Sequence, residues 1–70
     1  MMIKVGQVYK LPEGEVGVVI FYDDDKPFVD IFVKYGMGIF TRKDVLEKCQ
    51  LIAEYPTFTD AVKSKEFKNG

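Results

Sequence analysis

The amino-acid sequence predicts a mostly β fold, and three observations carry the prediction. Val, Ile, Phe and Tyr crowd the stretch from Val16 to Val33, and such β-branched and aromatic side chains suit a pleated sheet. Proline, glycine and short acidic residues cut the first half of the chain into runs of strand length. Inside those runs apolar residues recur at every second position, the period of a strand.

Gln7 to Leu11 forms the first run, and Pro12-Glu13-Gly14-Glu15 turns the chain into the second, Val16 to Tyr22. Asp23-Asp24-Asp25-Lys26-Pro27 reads as a hairpin loop, because short polar side chains and proline favour turn geometry. Phe28 to Tyr35 is the third strand. Gly36-Met37-Gly38 then makes a tight turn or bulge, and Ile39-Phe40-Thr41 begins the fourth. Thr41-Arg42-Lys43-Asp44 matches a capping pattern, with the Thr41 hydroxyl set to satisfy an amide near Asp44 and a helical turn running to Lys48. Leu51 to Tyr55 returns to strand and ends at Pro56. From Thr57 a second helical segment reaches about Lys68, with Phe58, Ala61 and Val62 at helical spacing and Phe67 further along.

Four short strands, one helical turn and a fifth strand is the order of a small SH3-like barrel. The expected organisation is one domain over residues 1–70, with the barrel over about 3–55 and an added C-terminal helix over about 57–68. A chain of 70 residues buries only about 60% of the surface it exposes when unfolded. The core must come from side chains, since Cys49 is the only cysteine and no internal disulfide can form. A lone thiol fits a reducing compartment. The start of the sequence lacks the apolar run of a signal peptide, and no stretch approaches the roughly 20 apolar residues of a membrane span. The expectation is a cytoplasmic protein with no membrane partner.

Gly6-Gln7-Val8-Tyr9, then Gly14, then Val16-Gly17-Val18-Val19-Ile20 resembles the opening of SH3-like and KOW-type domains. The tail from Glu54-Tyr55-Pro56-Thr57-Phe58 through Phe67 resembles the ending of small phage and prophage proteins of Gram-positive bacteria. Together the two segments are similar to the YorP-like phage proteins. That resemblance implies an SH3-like barrel and carries over no catalytic residue. KOW-type domains often touch ribosomes or RNA polymerase, which the resemblance permits without implying.

Catalytic chemistry finds little material. Histidine is absent, which excludes every triad with an imidazole base and every His-containing zinc site. Cys49 has no imidazole partner and falls at the end of a helical turn, where the dipole does not favour thiolate. Asp23-Asp24-Asp25 lacks the alternating ligands, glycine and terminal Glu of a calcium loop, so a solvated hairpin tip is the better reading. Gly36-Met37-Gly38 is too short for a dinucleotide fingerprint. Tyr9, Tyr22, Tyr35 and Tyr55 could line a groove for proline-rich peptides, but core positions are preferred. No motif implies a cofactor or a metal, and the chain reads as non-enzymatic.

Alternation assigns Val16, Val18, Ile20 and Tyr22 of the second strand, and Val29, Ile31, Val33 and Tyr35 of the third, to the core. The opposite face is mixed: Val19 and Phe21 on the second strand, Phe28, Asp30, Phe32 and Lys34 on the third. Phenylalanines in open water are unusual for a monomer. Either the C-terminal helix lays Phe58, Val62 and Phe67 over them, or they form a partner or self-association surface. The partner surface so drawn comprises Phe21, Phe28, Phe32, Lys34, Phe40, Arg42 and Lys43.

Two functions follow. The first is a protein-interaction module. The second is a nucleic-acid-associated module, in which Arg42, Lys43 and Lys34 lie beside Phe40 and Phe32 so that bases stack on aromatics next to cations. Charge weighs against the second. Residues 1–33 are net acidic and only residues 34–70 are net basic, within a chain of net charge −1, whereas duplex binders usually carry a concentrated basic footprint.

Overall fold

In the computed structural model, which describes residues 2–33 and 37–69, five antiparallel strands form one sheet with short helices attached. The strands are β1 (Gln7–Lys10), β2 (Val16–Tyr22), β3 (Phe28–Val33), β4 (Met37–Arg42) and β5 (Gln50–Glu54). They lie in the order β4-β3-β2-β1-β5, so β4 and β5 are the edges and the sheet is open between them. Helix α1 (Lys43–Glu47) joins these two edge strands. Its Leu46 is fully buried in the core.

The turns form where their chemistry demands. Leu11 donates to the Glu15 carbonyl at 2.7 Å, and Gly14 donates back to Leu11 at 2.9 Å. The three-residue loop between them ends on Gly14 at φ +94°, a geometry that favours glycine. At the next hairpin the Lys26 amide bonds the Asp23 carbonyl at 3.1 Å, and the Asp23 carboxylate accepts the Asp25 amide at 3.0 Å. The acidic run is therefore a self-bonded turn. Gly36 lies outside the described residues. Met37 and Gly38 belong to β4, paired with Val33 and Phe32, so neither sits in a turn.

The sheet is apolar on both faces, and the strand alternation has to be corrected on that account. Val19, Val29, Ile31 and Val33 line one face with Ile3, Tyr9, Leu11 and Leu46. Val16 and Val18 are just as buried, but on the other face, with Val8, Ala61 and Phe67. The register also slips between Val19 and Phe21: Val19 faces Ile31, while Phe21 faces Asp30. Ile20 is thus the extra residue of a bulge, which reverses the parity of the strand beyond it. Tyr22, opposite Val29, thereby joins the Val19 face.

Two helical expectations are also corrected. Thr41 does not cap α1. It pairs with Val29 inside β4, and the residue preceding the helix is Arg42, which makes no side-chain cap bond. Asp44 instead accepts the Val45 amide at 3.0 Å. The C-terminal helix is two pieces, α2 (Phe58–Val62) and α3 (Lys65–Lys68). Thr57 caps the first by accepting the Asp60 amide. Ser64 breaks the segment: its hydroxyl donates to the Ala61 carbonyl at 2.5 Å and accepts the Phe67 amide at 3.3 Å. A serine that bonds nearby backbone competes with the helical ladder and becomes a cap. The break lets Ala61 and Phe67 both reach Val8, Val16 and Val18.

At the start of β1 a buried polar cluster pins the N-terminal segment. The Gln7 side chain accepts the Lys4 amide and the Tyr9 hydroxyl, each at 2.9 Å, and donates to the Met2 carbonyl and the Glu54 carboxylate. Burial, reinforced by the negative charge of Glu54, pushes the Tyr9 phenol above its ordinary value. No helix among the described residues is long and apolar enough to cross a membrane.

Candidate functional site

The helix-covered face is only partly covered. Phe32 meets Phe58 edge-on at 5.5 Å between ring centroids and Phe67 at 5.9 Å. Helices α2 and α3 pack on β2 and stop at that row. One row further along, Phe21 of β2 faces Asp30 of β3, and Asp30 faces Phe40 of β4. Cross-strand partners share a face, as do residues two apart on one strand. The next row, Phe28 opposite Arg42, therefore continues the same surface.

These three phenylalanines are open to solvent: Phe21 is 53% exposed, Phe28 52% and Phe40 77%. Of the outer phenylalanines, the cover by the C-terminal helices thus reaches Phe32 alone. The helices shelter Phe32, while Phe21 and Phe28, joined by Phe40, stay bare. Together with Asp30 they line a shallow depression of about 670 Å³, completed by Asp23, Lys26 and Pro27 from the β2–β3 loop.

The described cations of the drawn surface, Arg42 and Lys43, do not gather around this depression. Lys34 lies outside the described residues. Arg42 flanks Phe28, but its guanidinium is held by Asp44 through contacts of 3.1 and 3.2 Å. Desolvation opposes it, yet that pair and the Val45 amide hold the Asp44 carboxyl below its ordinary value. Lys43 points elsewhere. Its ammonium sits 5.3 Å from the centre of the Tyr22 ring and 3.4 Å from the Asp24 carbonyl, in a separate hollow lined by Met2, Tyr22, Asp24 and Glu47. Hydrogen bonding to Tyr22 and the charges of Asp24 and Glu47 hold the Lys43 ammonium above its ordinary value.

Among the described residues that line the depression the only cation is Lys26, set against Asp23 and Asp30. Asp30 is half-buried and, among the described residues, forms no ion pair and accepts no hydrogen bond.

Elsewhere the reactive groups find partners within the chain. The Cys49 thiol donates to the Val45 carbonyl at 3.4 Å, and burial pushes it above its ordinary value, away from thiolate. Tyr9 is fully buried and Tyr22 half-buried in the Val19 core, whereas the Tyr55 hydroxyl donates to Glu66 on the helix side. These three do not share a groove, and Tyr35 lies outside the described residues. Among the described residues no three acidic or cysteine side chains converge as a metal site would require.

The sequence signal for Phe28 was its place opposite Val29 and Ile31, whereas Phe21 shares the face of Val18 and not that of Val19 only because of the bulge at Ile20. Phe40 and Asp30 join them through the ladder register. Asp23, Lys26 and Pro27 were legible only as a turn, since which way a loop leans over a sheet depends on the twist of the hairpin.

Comparison of the chain with protein families, characterised proteins and solved structures finds no match.

Proposed function

We propose that the chain is a non-enzymatic protein-interaction module of the SH3-like barrel type, related to the small phage proteins it resembles, that binds a partner through Phe21, Phe28 and Phe40. The observation that carries this reading is the three contiguous phenylalanines, each more than half exposed, on a sheet whose remaining apolar surface is largely packed. Aromatic side chains are enriched at interfaces because they bury much area at little entropic cost. Clustered exposure of this kind marks interaction sites in monomeric proteins. The barrel reading is supported by the strand order and by α1, which carries the chain from one edge strand to the other with Leu46 driven into the core. A patch of three rings suits a small, reversible interface rather than an obligate one. A lone protonated thiol suits a reducing cytoplasm.

Nucleic acid is the weaker reading. Arg42 and Lys43 diverge, and among the described residues two carboxylates against one ammonium line the depression.

The test is affinity capture from host lysate with the native chain and with Phe21→Thr/Phe40→Thr. Threonine keeps the preference for strand. We expect at least one protein to be retained by the native chain and lost from the variant. Identical captured sets for the two chains would remove the reading. Fluorescence titration with single-stranded DNA and RNA at low salt should show no binding, since electrostatic affinity is greatest there. Binding that Arg42→Gln weakens would transfer the assignment to nucleic acid.

A further inference from the structure

The Asp30 carboxylate sets a condition on what can enter the depression. It is half-buried in the middle of a cross-strand row, with Phe21 on one side and Phe40 on the other. No group of the described chain neutralises it. The nearby Arg42 guanidinium is committed to Asp44. Asp23, on the rim, spends a carboxylate oxygen on the Asp25 amide, and Lys26 sits on the same loop without an ion-pair partner among the described residues.

Three classes of side chain could press onto this surface. An acidic group would meet Asp30 and the negative faces of the rings, and both repel it. A purely aliphatic group would bury Asp30 without a partner, which costs the desolvation of a charge. A guanidinium suffers neither penalty: its N–H groups donate to a carboxylate while its planar face lies on a ring, and it is more weakly hydrated than an ammonium.

We propose that the Phe21–Phe28–Phe40 depression receives an arginine side chain of a protein partner, with apolar neighbours on the rings and Asp30 as the counter-charge. This inference rests on the docking reading above and adds the chemistry of the occupant. Lys26, the one cation among the described residues that line the depression, is the internal competitor for Asp30. Removing it should strengthen the site.

The experiment uses the full ¹⁵N-labelled chain and two blocked tripeptides, Ac-Leu-Arg-Leu-NH2 and the same peptide with neutral citrulline in place of arginine. Amide shifts are followed up to about 10 mM peptide, since single-site contacts of this kind are weak. The arginine peptide should shift the amides of Phe21, Phe28, Asp30 and Phe40 and should bind about three- to five-fold more tightly than the citrulline peptide. Asp30→Asn should bring the two peptides to equal affinity. Lys26→Gln should raise arginine-peptide affinity about two-fold while leaving the citrulline peptide unchanged. Should Asp30→Asn lose its folded spectrum, the citrulline comparison and Lys26→Gln decide without it. Equal binding of both peptides to the native chain, lost with Phe40→Thr, overturns the arginine assignment and leaves the docking surface standing. Shifts by neither peptide, or shifts confined to other parts of the sheet, overturn the assignment as well, and the capture experiment then judges the docking reading separately.

Discussion

Replacing Phe67 with alanine should destabilise the fold by about 3–5 kcal/mol, close to the total stability of a chain this size. The ring is 7% exposed and packs with Val8, Val16, Val18 and Ala61 while shielding Phe32. Helix α3 has four residues and cannot persist by propensity, since its nucleation cost is not recovered over one turn. It is present because Ser64 caps it and Phe67 anchors it. Losing the anchor should free α3, uncover Phe32 and open the Val16–Val18 face together. Urea unfolding would report this as a fall in midpoint to near the start of the titration. A midpoint shift worth less than about 1 kcal/mol would mean that the C-terminal segment is an appendage and the sheet stands without it.

Gly6→Ala should cost about 2–4 kcal/mol, for two separable reasons. Gly6 sits at φ +94°, where a side chain is strained. A Cβ there would also lie 2.3 Å from the Tyr55 carbonyl oxygen. The strands cannot part to admit it, because Gly6 donates to Val19 and accepts from Tyr55, each at 3.1 Å, and so ties the N-terminal segment to β2 and the end of β5. Gly14 is the internal control. It has the same φ of +94° with no atom within 4 Å of its added Cβ, so Gly14→Ala should cost only about 1 kcal/mol, the backbone part alone. Thermal unfolding of the two variants measures the difference. Equal losses would show that the close approach at Tyr55 is relaxed at little cost.

Much of this architecture was legible in the residues. The strand runs, the two polar hairpin loops and the helical turn before β5 follow from turn chemistry and period-two patterning, both of which are local. What escaped was set by non-local pairing. Val16 and Val18 look identical to Val29 and Ile31 in a hydropathy pattern, and only the docking of α2 and α3 decides that they face the other way. The bulge at Ile20 leaves no mark in composition, since a valine-isoleucine run reads the same in either parity. Ser64 was visible as a serine, but a helix through it and a break at it differ only in which backbone groups its hydroxyl finds. The same holds for the site. Phe28 could be placed opposite Val29 and Ile31 from alternation, but Phe21, grouped by alternation with Val19, reaches the Val18 face only through the bulge. The pairing of Asp30 with both Phe21 and Phe40 depends on registers that the sequence does not state.

The proposed division of the outer aromatics, with Phe32 packed in the fold and the other three serving a partner, is most directly checked by urea unfolding of Phe28→Thr/Phe40→Thr. A chain that keeps these rings for binding should lose less than about 1 kcal/mol, because strand-favouring threonine replaces side chains that are mostly in water. A loss of several kcal/mol, the signature of buried aromatic truncation, would show that these phenylalanines belong to the core and that no docking face exists there.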